Sequence, residues 1–164
     1  MKYLKSAVAA LLVLPVFAFA GEVKVSWGEF DDFIDVRPAA ETKSAFYKRV
    51  KTSLEKSFTE LGEKLPEGTV FEFRITDLDL AGDVRYGGIR EYRLVERIYF
   101  PKMKFDYQLV DAEGKILKEG SESLKDMNFL DRIRTPAQYR KDGFYYEKYM
   151  FEQWFEENIE SQFK

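Results

Sequence analysis

Between Thr42 and Leu80 the apolar residues change their period, and that change limits the fold more than any other feature. From Thr42 to Leu65 they recur every three or four residues: Phe46, Val50, Leu54, Phe58, Leu61 and Leu65. That spacing lays one stripe along an α-helix, with Lys48, Lys51, Glu55, Lys56 and Glu60 on the other face. Pro66 and Gly68 end it. Over Thr69–Leu80 the period falls to two, as Phe71, Phe73 and Ile75 alternate with polar residues. Leu78 and Leu80 then sit on the opposite parity, which a bulge near Asp77 reconciles.

The same reading extends along the chain. Glu22–Trp27 alternates and reads as a first strand, followed by a loop from Gly28 to Ala40. Ala81–Gly88 reads as a loop and Ile89–Phe100 as a strand. Pro101 cannot donate to a ladder, so it belongs at a bulge, a strand start or an edge. Met103, Phe105, Tyr107 and Leu109 alternate, Asp111–Gly114 turns, and Lys115–Leu124 returns as a hairpin partner. Residues 126–142, with Pro136, read as irregular, and Phe144–Phe163 as a second helix. This order predicts a two-layer α+β domain: a mostly antiparallel sheet of four to five strands with two helices on one face.

Residues 1–20 read as a cleavable export signal. Lys2 and Lys5 precede an apolar run from Ala7 to Phe19, and Ala18 and Ala20 supply small side chains for cleavage. The run is shorter than the roughly 20 apolar residues a membrane span requires, and the trimmed chain shows no other long one. Residues 21–164 are expected to form a single domain. The chain has 26 Lys and Arg against 29 Asp and Glu, and trimming removes Lys2 and Lys5, leaving a net charge of −5. A field of that sign disfavours nucleic acid as a partner.

Two missing residue types narrow the chemistry. Without cysteine there are no disulfides, no thiol nucleophile and no thioether-linked lipid, so the reading is not a lipoprotein. Without histidine, Ser-His-Asp and Cys-His systems and imidazole-based zinc sites are excluded within the chain. An exported domain lacking disulfides rests on its apolar core, which 15 Phe, 10 Tyr and 2 Trp can supply.

Val25-Ser26-Trp27, Asp35-Val36-Arg37, Leu65-Pro66-Glu67-Gly68, Thr76-Asp77-Leu78-Asp79-Leu80-Ala81-Gly82, Tyr99-Phe100-Pro101-Lys102, Leu124-Lys125-Asp126-Met127 and Tyr146-Glu147-Lys148 occur in an order that resembles the exported bacterial domain-of-unknown-function family 3016. Lys102 stands where that pattern has arginine. The resemblance implies a periplasmic protein of Gram-negative bacteria and supplies no activity and no site residues.

Three groups of residues are candidates for function. Asp77, Asp79, Gly82 and Asp83 resemble the start of a calcium loop, but its fifth and twelfth positions would be Ala81 and Gly88, so structural pairing is the simpler reading. Asp35 and Arg37 could grip an anionic substrate; more simply, they join a charge network with Asp77, Asp79, Asp126 and Glu147. Val84–Lys104 carries Arg85, Arg90, Arg93, Arg97, Lys102 and Lys104 against Glu91 and Glu96, interleaved with Tyr86, Tyr92 and Tyr99. It could contact an envelope protein, a glycan or an anionic lipid, or its arginines could pair with the acidic last helix. The expected function is therefore a non-catalytic binding module without cofactor or metal. A carboxylate hydrolase working through Asp77, Asp79, Asp126 or Glu147, or a calcium-stabilised structural domain, is the alternative.

Overall fold

The computed structural model describes residues 20–131 and 143–164. The signal reading over residues 1–19 and the position of Pro136 lie outside the described residues. The chain forms β1 (Glu22–Trp27), α1 (Lys43–Glu60), β2 (Val70–Asp79), β3 (Asp83–Arg85), β4 (Tyr92–Leu94), β5 (Lys102–Val110), β6 (Ile116–Lys125) and α2 (Tyr145–Asn158). This is the expected α+β class. The main sheet runs β1-β2-β5-β6. β1 and β2 are parallel, because the long crossover between them passes through α1, whereas β2, β5 and β6 pair antiparallel.

β3 and β4 form a separate two-stranded ribbon. The strand expected over Ile89–Phe100 is thus reduced to Tyr92–Leu94, and a strand lies in the expected loop Ala81–Gly88. The ribbon holds only three residue pairs, and the chain turns again where the Tyr99 amide donates to the Glu96 carbonyl at 3.0 Å. Pro101 stands directly before β5, at a strand start.

The stripe of α1 is buried as its spacing requires: Phe46, Val50, Leu54 and Phe58. The Thr42 hydroxyl caps the helix by accepting from the Ala45 amide at 3.4 Å. The last turn, Leu61–Lys64, is tighter than an α-helix. There the start of β1 presses against the helix end, so a Cβ on Gly62 would lie 2.6 Å from the Gly21 carbonyl oxygen. In β2 the ladder slips between Ile75 and Asp77, and both halves stay inward: Phe71, Phe73 and Ile75 before the slip, Leu78 after it.

The core is built of rings. Phe151 of α2 stacks on Phe73 of β2 at 4.7 Å and meets Phe58 of α1 at 4.3 Å and Phe105 of β5 at 5.3 Å. Trp154 meets Phe105 and Tyr107, and Phe155 meets Phe71. Burying each such ring contributes roughly 1.5–3 kcal/mol. A smaller cluster of Ala81, Phe129 and Tyr146 ties the β2–β3 connection to the start of α2. No helix of the described residues is long and apolar enough to cross a membrane.

Candidate functional site

Gly82 launches the β3–β4 ribbon from the end of β2. Its φ is +87°, its amide donates to the Tyr99 carbonyl at 2.8 Å, and an added Cβ would lie 2.6 Å from the Leu94 carbonyl oxygen. A glycine is required there on both counts. Register then sorts the side chains. Val84 pairs with Arg93, and Arg85 pairs with Tyr92, so the two pairs point to opposite sides. Val84 is buried, and Arg93 shares its inward side.

Inside, Arg93 is an anchor. Its Nη1 donates to Asp35 Oδ2 at 2.9 Å, to the Gly82 carbonyl at 2.8 Å and to the Leu80 carbonyl at 3.3 Å. Its Nη2 donates to Asp35 Oδ1 at 3.3 Å and to the Arg37 carbonyl at 3.0 Å. Arg37 adds its own bonds to Asp35 at 2.8 Å and Asp83 at 3.0 Å. Burial pushes the Asp35 carboxyl up, but the hydrogen bonds from Arg93 and Arg37 outweigh it and hold the group below its ordinary range.

The other arginines divide. Arg85 pairs with Glu96 at 2.9 Å and lies 5.4 Å from the Tyr99 ring. Arg97 grips Asp131 through two bonds of 2.9 and 2.6 Å. Arg90 is exposed at the ribbon tip with Tyr86, Ile89 and Tyr92, and Ile98 is exposed on the return. The acidic face of α2 serves a different cation, since Lys64 takes Glu152 at 3.2 Å and Glu156 at 2.5 Å.

The remaining nominated acids have ordinary partners. Asp77 and Asp79 lie opposite Lys104 and Lys102 in the β2–β5 ladder and bind them at 2.9 and 2.6 Å. Asp77 also accepts from the Ile34 amide at 3.0 Å. Asp126 accepts from the Asn128 amide at 3.2 Å. Among the described residues, no group of three acidic side chains is placed to hold a metal ion.

A cavity of about 410 Å³ opens between the loop before α1, the end of β2 and the start of α2. Glu147 lines it and is buried. Its Oε1 accepts from the Ala81 amide at 2.7 Å; its Oε2 has no hydrogen-bond partner among the described residues. Burial pushes this carboxyl above the ordinary range, against the opposing effects of the Ala81 amide and Arg93. Arg37 and Arg49 also line the cavity. The Arg49 guanidinium lies against both the Phe46 and Phe144 rings, at 5.1 and 5.0 Å, and pairs with Glu41 at 2.5 Å. Phe144 takes a left-handed backbone, φ 63°, immediately before α2.

Sequence reasoning missed Arg49, Glu41 and the cavity. Arg49 is one of several cations on the polar face of α1, and nothing in its spacing separates it from Lys48 or Lys51. Glu147 was legible as an acid in a ring-rich helix, although its partner is the Ala81 amide and not a hairpin arginine.

A family described as "Protein of unknown function (DUF3016)" matches residues 21–157. No curated protein matches the chain. A solved structure titled as a minor lipoprotein from Acinetobacter baumannii is 12% identical, covers 85% of this chain and 91% of its own, and has a TM-score of 0.24.

Proposed function

The chain belongs to the DUF3016 family, and we propose that it is an exported, periplasmic, non-catalytic binding module whose β3–β4 tip is its contact surface. The observation that carries this reading is the grouping of Tyr86, Ile89 and Tyr92 with Arg90 at one end of the β3–β4 ribbon. Tyr86 and Tyr92 are 57% and 55% exposed, and Ile89 is fully exposed. Large side chains left in water on a short hairpin contribute little to folding and are the residue types that dominate contact energies when a partner covers them. Residues 21–164 act as one domain in this reading. With no cysteine in the chain, a thioether-linked lipid is not part of the proposal.

The partner is an envelope protein, a glycan or an anionic lipid. The test is retention of envelope protein, cell-wall glycan or phosphatidylglycerol vesicles on the immobilised chain, with a Tyr86→Ser/Tyr92→Ser variant beside it. One of the three is expected to be retained by the native chain and lost by the variant. Equal retention by both, or retention of none, overturns the reading. The carboxylate-hydrolase alternative needs two of its nominated acids facing one cleft, whereas Asp77 and Asp79 hold lysines, Asp126 accepts from the Asn128 amide, and of the four Glu147 alone lines the cavity.

A further inference from the structure

The main sheet ends on β6, and that edge is long and bare. β6 runs ten residues, none of them buried, and pairs only with β5. The other edge strand, β1, is met at its start by the Leu61–Lys64 turn, where Gly62 approaches Gly21. The outer backbone of β6 receives no hydrogen bond from any described residue. The ladder fixes which of its groups point outward. The Asp126 amide donates to the Pro101 carbonyl at 3.1 Å, and bonded and unbonded pairs alternate from there. Leu124, Glu122 and Gly120 therefore direct their backbone groups to Met103, Phe105 and Tyr107. Ser123, Ser121 and Glu119 turn theirs away from β5, with no backbone partner among the described residues. An outer row of this kind is a template for another strand.

We propose that a second copy of the chain occupies this edge, its β6 running antiparallel to the first about a two-fold axis at Gly120 or Ser121. The occupant follows from the charges along the strand. Outward groups must face outward groups, so the axis passes through a residue and not between two. Of the four axes at the middle of the strand, those at Glu119 and Glu122 set a carboxylate against its own copy, which is unfavourable. An axis at Gly120 puts Lys118 of each copy directly opposite Glu122 of the other; an axis at Ser121 makes the same two diagonal neighbours. Lys118, Gly120 and Glu122 lie opposite Leu109, Tyr107 and Phe105 and so share one face. A parallel, in-register arrangement would instead set Lys118 beside Lys118. Lys118 Nζ donates to the Asn158 carbonyl at 2.9 Å and, as an ammonium, has two further protons to offer. Gly120 adds no side chain at the centre of the contact. The contact uses the same strand on both copies, so the pair closes and does not grow into a fibre.

The inference is independent of the ribbon tip, and its test keeps the two apart. Sedimentation equilibrium of the purified protein from about 1 μM to about 1 mM gives the association constant, and amide exchange at Ser121 reports on the edge itself. A dimer is expected, with exchange at Ser121 slowing as concentration rises. Ser121→Pro removes an amide that β5 does not use, so circular dichroism should stay that of the folded protein while the dimer is lost. Lys118→Glu and Glu122→Lys should each weaken the dimer about ten-fold. The double variant carrying both should restore it, because the pair is rebuilt with its signs exchanged. Tyr86→Ser/Tyr92→Ser should leave the association constant unchanged. A monomer at every concentration overturns the proposal, as does a dimer that persists in Ser121→Pro or a double variant no tighter than the single ones. Exchange at Ser121 that slows only after envelope protein is added assigns the edge to a different occupant and overturns it too.

Discussion

Replacing Arg93 with methionine separates an anchoring arginine from a contact arginine. Methionine keeps an apolar stem but removes the guanidinium and all five of its hydrogen bonds: two to Asp35 and one each to the carbonyls of Leu80, Gly82 and Arg37. The Asp35 side chain is only 8% exposed, and its remaining partner, Arg37, is 53% exposed. Breaking a buried pair by removing one member costs about 3–5 kcal/mol, because the other charge stays buried. Arg93 itself retains 18% exposure, so the lower end applies, about 3 kcal/mol. With a urea dependence of about 2 kcal/mol per molar, the unfolding midpoint should fall by roughly 1.5 M.

The same variant alters the acid limb. Asp35 has a folded pKa below its unfolded value, so its pairing stabilises the protein above the unfolded pKa, and that stability is lost as pH falls through the folded one. Arg93→Met should therefore narrow the gap in stability between pH 7 and pH 3. The assay is urea unfolding followed by tryptophan fluorescence at both pH values, with Arg37→Met as the exposed comparison, expected to cost about 1 kcal/mol or less. A midpoint shift below about 0.5 M for Arg93→Met would place it among ordinary surface cations and refute the anchoring role.

Other substitutions probe the ring core, the ribbon hinge and the buried acid. Phe151→Ala removes a fully buried ring that meets Phe58, Phe73 and Phe105, and thermal or urea unfolding should show a loss of about 3–5 kcal/mol. Gly82→Ala forces a side chain into φ +87° and against the Leu94 carbonyl; a loss of about 1–3 kcal/mol is expected, with faster exchange of the Val84 and Leu94 amides. For Glu147→Gln the sign reverses relative to Asp35. A carboxyl whose folded pKa is raised favours the fold below its unfolded pKa, and that advantage is lost as pH rises through the folded value. The melting temperature of the glutamine variant should accordingly gain on the native protein between pH 5 and pH 8, and a difference independent of pH would show that Glu147 does not titrate in that way.

The fold was legible wherever a period could run. Six residues sufficed for β1, whose bounds agree, and the parity change in β2 located the slip between Ile75 and Asp77. The end of α1 was less so. Pro66 and Gly68 stop a helix, but the tightening from Leu61 comes from the approach of Gly21 to Gly62, a contact between residues 41 positions apart. β3 and β4 were out of reach because three residues cannot display alternation, and their pairing depends on the backbone angle of Gly82. The cavity was illegible for the same kind of reason. It gathers Arg37, Arg49, Arg93 and Glu147 from four separate segments; three of them draw attention in the sequence, but nothing there brings them to one place.

Strand parity also reshapes the electrostatics of the basic stretch. By composition, Arg85, Arg90, Arg93 and Arg97 look like one positive patch. Register turns Arg93 inward to Asp35, while Glu96 and Asp131 neutralise Arg85 and Arg97. Of these four, Arg90 alone has no carboxylate partner among the described residues, and it stands at the tip beside the exposed Glu91 and three large exposed side chains. A surface of that composition steers a partner weakly and holds it by ring and aliphatic burial, so association there should depend little on ionic strength and strongly on Tyr86, Ile89 and Tyr92. Were binding at the tip to collapse between about 50 and 200 mM salt, the guanidiniums of Arg85 and Arg97 would have to leave their carboxylates on contact, and the ribbon would be acting as a charge patch after all.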